Sequence, residues 1–224
     1  MSLILTIDTA TEKAQVSLVK DAVVLRSLYN ESLKDHAGFL QPAIQQLVKD
    51  TAVLLKDIDA VAVTAGPGSY TGLRVGMASA KGLCYALGKP LITLNTLEVL
   101  AAAALIEPAN TADLFCPMID ARRMEVFTAL YNRSLKVVLA PMALILEQSS
   151  FANQFSNNRV LFFGNGAKKW ESICKDTNAS FATFNITPEA MAKLAHQYFV
   201  QQDFAKLSYS EPFYLKEFQD NAKK

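Results

Sequence analysis

The sequence predicts an α/β protein made of two related lobes, each running βββαβα, on three observations. Three β-rich runs followed by helix and strand occur twice along the chain. The first strand of each set ends in the same pair of residues, Ile7-Asp8 and Ile119-Asp120. A glycine-rich turn then follows a later strand in each set, Gly66-Pro67-Gly68 and Gly164-Asn165-Gly166. With 224 residues, 51% hydrophobic and 19% charged, the chain has apolar surface for two compact lobes but not three. The boundary is expected at 106/107, giving lobes 1–106 and 107–224, with the last helix and tail packing back across the lobes.

The elements follow in order. Leu3–Asp8 reads as a buried strand, 14–20 alternates, and 23–28 is a third β-rich run after an Asp21-Ala22 turn. Asp35 caps a helix whose apolar positions Phe39, Leu40, Ala43, Ile44, Leu47 and Val48 recur at helical spacing, with a bend expected at Pro42. A β-branched strand at 60–64, a helix at 71–87 closed by Gly88 and Pro90, and a strand at 91–95 come next, with Thr96 as cap of the following helix. The second set has strands at 115–121, 124–132 and 135–139, a polar helical stretch at 147–155 and a strand at 160–163. A last helix opens at Thr187-Pro188-Glu189 and runs to about 202.

Composition excludes several classes. Twenty-two Lys and Arg balance 21 Asp and Glu, so no general basic field attracts nucleic acid, and any such contact must be local or supplied by a partner. The three cysteines are widely spaced without a C-x-x-C pair, which points to a reduced compartment with Cys84, Cys116 and Cys174 acting as small apolar residues. The apolar run at 3–7 is stopped by Asp8, and that at 99–106 is too short for a membrane span. A soluble cytoplasmic protein without membrane contact is expected.

The densest motif is 66–76, Gly-Pro-Gly-Ser-Tyr-Thr-Gly-Leu-Arg-Val-Gly. It follows a strand and opens a helix, so its amides and hydroxyls could hold an anion, or simply form a tight turn. It matches neither nucleotide fingerprint: no Lys follows Gly72, and Gly66, Gly68 and Gly72 do not fit G-x-G-x-x-G. The helix beyond it carries Gly72, Gly76, Ser79 and Ala80 nearly on one face. Glycine costs about 1 kcal/mol against alanine in a helix, so close approach of another backbone should compensate. Either a partner or the preceding helix could supply it. The expected partner interface is His36, Leu40, Ile44, Gly72, Gly76, Ser79, Ala80 and Leu83.

That run, with Asp8-Thr9-Ala10-Thr11, the second-lobe opening from Asp120-Ala121-Arg122-Arg123 to Met124-Glu125-Val126-Phe127, and Pro212-Phe213-Tyr214-Leu215-Lys216, resembles the bacterial TsaB (YeaZ) family over essentially the whole chain. The resemblance implies a duplicated actin-like (RNase H-like, ASKHA-type) fold. It also implies a role in threonylcarbamoylation of adenosine 37 of tRNA. In that role the chain is a non-catalytic subunit that dimerises with the catalytic paralogue TsaD and works with the ATPase TsaE. A homodimer forms when the chain is alone, and tRNA is met through the complex.

Departures from the superfamily bear on catalysis. The paralogue holds a metal through H-x-x-x-H; here His36 is followed by Leu40, and His196 has Ala192 and Val200 at its four-residue neighbours, so no helical histidine pair exists and no metal is expected. Ala10 stands where superfamily kinases bring Gly to phosphate, which makes Asp8, Thr9, Thr11 and Asp120 a degenerate nucleotide site. No cofactor is expected to bind this chain tightly alone, with ATP and Mg possible at a complex interface. Asp8 and Asp120 could bind a cation between them or bond their own hairpins. Arg122 and Arg123 could contact phosphate or RNA, or be solvated strand-end charges. The aromatics Phe213, Tyr214 and Phe218 could strap the lobes or meet a partner. The alternative function is an ATP-dependent kinase or ATPase; a peptidase lacks both a His pair and a serine elbow.

Overall fold

The computed structural model describes residues 1–30, 35–107, 111–156 and 158–216. The chain divides into unit 1, Met1–Asn110 with Phe184–Pro212, and unit 2, Thr111–Thr183 with Phe213–Lys224. The division after Asn110 falls close to the expected boundary, but the expected 107–224 lobe is shorter in the structure because 184–212 returns to unit 1.

Unit 1 holds a mixed sheet ordered β3-β2-β1-β4-β5, from Val23–Tyr29, Gln15–Lys20, Leu3–Asp8, Ala60–Gly66 and Leu91–Asn95. Strands β1 to β3 form antiparallel hairpins, while β1, β4 and β5 run parallel. Alternation along β1 explains the layering. Leu5 and Ile7 enter a core with Leu40, Ile44 and Leu47 of α1 (His36–Thr51) and Met77, Ala80 and Cys84 of α2 (Tyr70–Leu87). The alternate residues Ile4, Thr6 and Asp8 lie on the other face, which α6 (Pro188–Val200) covers together with its neighbour α3 (Thr96–Ile106).

Caps follow local chemistry. Asp35 accepts from Gly38 N, Gly88 closes α2 in the left-handed conformation, and Thr187 caps α6 with Pro188 in its first turn. One expected cap is displaced: Asn95, not Thr96, caps α3, its Oδ1 accepting from Leu97 N at 2.9 Å. The Asn95 side chain, one residue earlier, already caps the free amide, and Thr96 becomes the first helical residue. Helix α6 joins unit 1 because Ala190, Met191, Leu194 and Ala195 are buried there, and Tyr198 donates to Glu98 of α3 at 2.9 Å.

Unit 2 repeats the design with a sheet ordered β10-β9-β6-β7-β8. Its strands are Leu114–Asp120 (β6), Glu125–Asn132 (β7), Val137–Ile145 (β8), Val160–Phe163 (β9) and Ala179–Ala182 (β10). Read from its far edge this is the same order relative to the chain as in unit 1, so the duplication expected from the sequence is the architecture. The third strand starts later than expected because Leu135 sits in a left-handed turn held by Asn132, whose Oδ1 accepts from Ser134 N and Lys136 N. Of the helical stretch 147–155, only α4 (Ala152–Phe155) is helical, and α5 (Ala167–Glu171) and β10 had no strong periodic signal. The core centres on Trp170, edge-on to Phe151 at 5.6 Å and to Phe162 at 6.0 Å. Among the described residues no helix is long and apolar enough to cross a membrane.

Candidate functional site

The glycine-rich run makes a socket for the turn after β1. Thr9 is fully buried and its Oγ1 donates to Gly72 O at 2.7 Å. A Cβ on Gly72 would lie 2.1 Å from Thr9 O, and one on Gly76 would lie 2.3 Å from Thr9 Oγ1. The glycine notches in α2 are therefore filled by the chain's own strand end, not by a partner helix. The preceding loop closes the same contact, Ser69 N donating to Ala10 O at 2.7 Å. Ala10 is buried, and a Cβ on Gly68 would press on its carbonyl at 2.3 Å, so this turn is locked against the β4–α2 loop.

Asp8 ends β1 inside the protein, 1% exposed. Its Oδ1 accepts from Ala10 N at 3.0 Å and from Thr64 Oγ1 at 2.7 Å. Burial pushes the carboxyl up to about 6, against the pull of these two hydrogen bonds and of nearby His36. Thr64 went unremarked as a partner in the sequence; its signal is register, since Ile7 pairs with Val63 and places Asp8 beside the next residue of β4. His36 opens α1 and is buried, with Nε2 donating to Thr11 O at 2.9 Å. A carbonyl only accepts, so Nε2 carries a proton. Thr11 is half-buried and contributes this carbonyl.

In unit 2, Asp120 closes β6 with Oδ1 accepting from Arg122 N at 2.6 Å and from Lys169 Nζ at 2.7 Å. Partial burial pushes its carboxyl up, but the Lys169 and Arg122 hydrogen bonds outweigh it and hold the group below the usual range. The glycine turn mirrors that of unit 1: Asn165 Oδ1 accepts from Asp120 N at 2.9 Å, and Gly166 N donates to Met118 O at 3.0 Å. Each strand-end aspartate is thus engaged within its own unit. Among the described residues no group of three or more His, Cys, Asp or Glu is placed to hold a metal. Of the C-terminal aromatics, Phe213 and Tyr214 are exposed in unit 2 and Phe218 lies outside the described residues.

The expected interface residues divide. His36, Leu40, Ile44, Gly72, Gly76 and Ala80 are buried within unit 1, and only Ser79 and Leu83 reach the surface, half-buried. The reason is that Thr9 and the sheet occupy the small-residue face of α2. Outward, α2 presents Arg74, Ala78, Gly82, Tyr85 and Ala86. Tyr85 is 84% exposed. Ala78, Gly82 and Ala86 form a second small-residue row at four-residue spacing, legible in the sequence but outweighed there by the inner row. A Cβ on Gly82 would meet nothing within 4 Å. Beside it, α1 presents Gln41, Pro42 and Gln45, with Gln41 Nε2 donating to Ser79 Oγ at 3.3 Å.

The duplicated sheet order, with an aspartate closing the first strand of each repeat, defines an actin-like α/β protein. The family model of TsaD, tRNA N6-adenosine threonylcarbamoyltransferase, matches residues 30–207. TsaB of Bacillus subtilis (strain 168), a tRNA threonylcarbamoyladenosine biosynthesis protein, is 30% identical over 176 residues, 77% of this chain and 75% of that protein. TsaB of Escherichia coli (strain K12) is 28% identical over 225 residues, 95% of this chain and 94% of its own. The solved YeaZ of Pseudomonas aeruginosa superposes with a TM-score of 0.81 at 28% identity, covering 96% of this chain and 100% of that one. The chain belongs to this family, on its TsaB (YeaZ) branch of tRNA threonylcarbamoyladenosine biosynthesis proteins.

Proposed function

We propose that the chain serves tRNA threonylcarbamoyladenosine synthesis as a non-catalytic cytoplasmic subunit. It docks the outward face of α2, with α1 beside it, onto the catalytic paralogue TsaD, and it works with the ATPase TsaE. It pairs with itself when the paralogue is absent, and it meets tRNA within the assembly. The observation that carries this reading is Gly82. An exposed mid-helix glycine costs about 1 kcal/mol against alanine. Thr9 accounts for Gly72 and Gly76, but among the described residues nothing lies near enough to account for Gly82. Close approach of a second helix over Ala78, Gly82 and Ala86 supplies the missing gain, with Tyr85 as the anchor beside it.

The absence of a catalytic role for this chain is supported by the lone histidine of α1, whose Nε2 is committed to Thr11 O. The turn that would face a nucleotide phosphate fits that group poorly, because Ser69 N, a donor the phosphate would need, already donates to Ala10 O. ATP with Mg is therefore expected to bind the isolated chain weakly. The test is Gly82→Arg, which adds a charge where a Cβ has open space. The variant should keep its melting temperature yet lose co-elution with TsaD, and unchanged co-elution would overturn docking through this face. Micromolar binding of Mg-ATP to the isolated chain, abolished by Asp8→Ala, would favour the kinase reading instead.

A further inference from the structure

The turn from β6 to β7 carries a conflict that its local geometry does not resolve. Arg122 and Arg123 both adopt left-handed backbone, φ 71° and 48°. That region favours glycine and asparagine and costs other residues roughly 1–2 kcal/mol each. Hydrogen bonds hold the turn: Glu125 N donates to Arg122 O at 3.0 Å and Ala121 N to Glu125 O at 3.1 Å. Neither bond uses an arginine side chain. The backbone alone would be better served by Asn-Gly, so something other than the turn retains two guanidinium groups.

The carboxylates that flank the turn do not account for them. Asp120 is paired with Lys169 at 2.7 Å, and Glu125 with Lys216 at 2.8 Å. Two lysines brought from elsewhere in unit 2 thus neutralise the acids nearest the tip. Both arginines are exposed, and neither side chain has a hydrogen-bond or ion-pair partner among the described residues. Lys168, next to Lys169 on α5, is exposed as well. Unit 2 carries eleven Lys and Arg against eight Asp and Glu, whereas the whole chain is only +1, so the basic excess lies in this unit.

We infer that the Arg122-Arg123 tip is a phosphodiester-binding contact that grips the backbone of RNA within the assembly. Its ligand chemistry is a run of phosphate oxygens. Planar guanidinium forks match such oxygens with two parallel hydrogen bonds, and their charge releases counterions from the strand. The inference rests on the proposed role in tRNA modification and names the surface through which this subunit would touch that substrate.

The test uses the full chain in complex with TsaD and a fluorescein-labelled tRNA that reads codons beginning with A, titrated by anisotropy at several salt concentrations. Arg122→Asn/Arg123→Gly removes the charges while suiting the left-handed turn, so its melting temperature should hold or rise. Binding should weaken roughly tenfold at 0.1 M salt, and the slope of log affinity against log salt should shrink by about 1.4–1.8 for two phosphates. Arg122→Lys/Arg123→Lys should restore most of the slope, because it returns the charge and not the turn preference. An unchanged affinity and slope in the Asn-Gly variant would overturn the inference. So would competition by polyglutamate as strong as that by polyuridylate, which would assign the tip to acidic protein. A wild-type assembly that binds no tRNA at all would instead sink the proposed function, independently of the hairpin.

Discussion

Replacing Asp8 by asparagine isolates the energetic consequence of closing β1 with a buried carboxylate. Burial lifts this carboxyl from an ordinary 3.8 to about 6. That difference is worth roughly 3 kcal/mol between the two protonation states. Because the folded value lies above the unfolded one, the native state holds the proton more tightly between pH 4 and 6. Stability from this group is complete below about pH 4 and is lost as pH rises through 6. The asparagine side chain would keep an Oδ1 acceptor for Ala10 N and Thr64 Oγ1 and would carry no charge at any pH. Asp8→Asn should therefore raise stability by up to about 3 kcal/mol at pH 7, a shift in melting temperature of roughly 5–10 °C, and by almost nothing at pH 4. Thermal melts of both proteins from pH 4 to pH 8 supply the measurement. A gain that does not vary with pH, or a loss of stability at pH 7, would refute the assignment of a desolvated carboxylate at this strand end.

Three alanine substitutions along α2 should separate its inner and outer glycines. Gly72→Ala drives a Cβ into the Thr9 carbonyl and should cost about 3 kcal/mol or more, on the order of the worst core substitutions. Gly76→Ala presses on the Thr9 hydroxyl, a side chain rather than backbone, and should cost less, while Gly82→Ala should stabilise the isolated chain by about 1 kcal/mol; urea unfolding of the three variants gives the ranking. Tyr198→Phe removes the hydroxyl that bonds Glu98 between α3 and α6. Burial already raises the Glu98 carboxyl, so the loss should be about 1–3 kcal/mol at pH 7 and smaller at pH 4, where the acid is protonated; melts at the two pH values decide it.

Duplication is legible in the sequence because it is written in local signals. Ile7-Asp8 and Ile119-Asp120 end strands, glycine turns follow, and Asp35, Gly88 and Thr187 mark helix ends through bonds made within a few residues. Elements without such signals were not legible. Strand β10 is four residues long, and the expected third strand of unit 2 begins at 135 rather than 137 because left-handed Leu135 looks like strand in composition. The residues of the strand-end sites were found, but their partners Thr64 and Lys169 were not, since both pairings join positions about fifty residues apart.

By itself the sequence determined the α/β class, the repeat, the helix caps and the family, because each depends on residue type at short spacing. Only the tertiary structure decided which row of small residues on α2 faces inward. Gly72 and Gly76 pack on Thr9 while Ala78, Gly82 and Ala86 face out, an assignment made by a strand end more than sixty residues away. Likewise α6 follows the strands of unit 2 in chain order, yet its apolar face is buried in unit 1. The physical reason is common to both: periodicity says that a helix face is apolar or small, and only the placement of distant segments says what covers it.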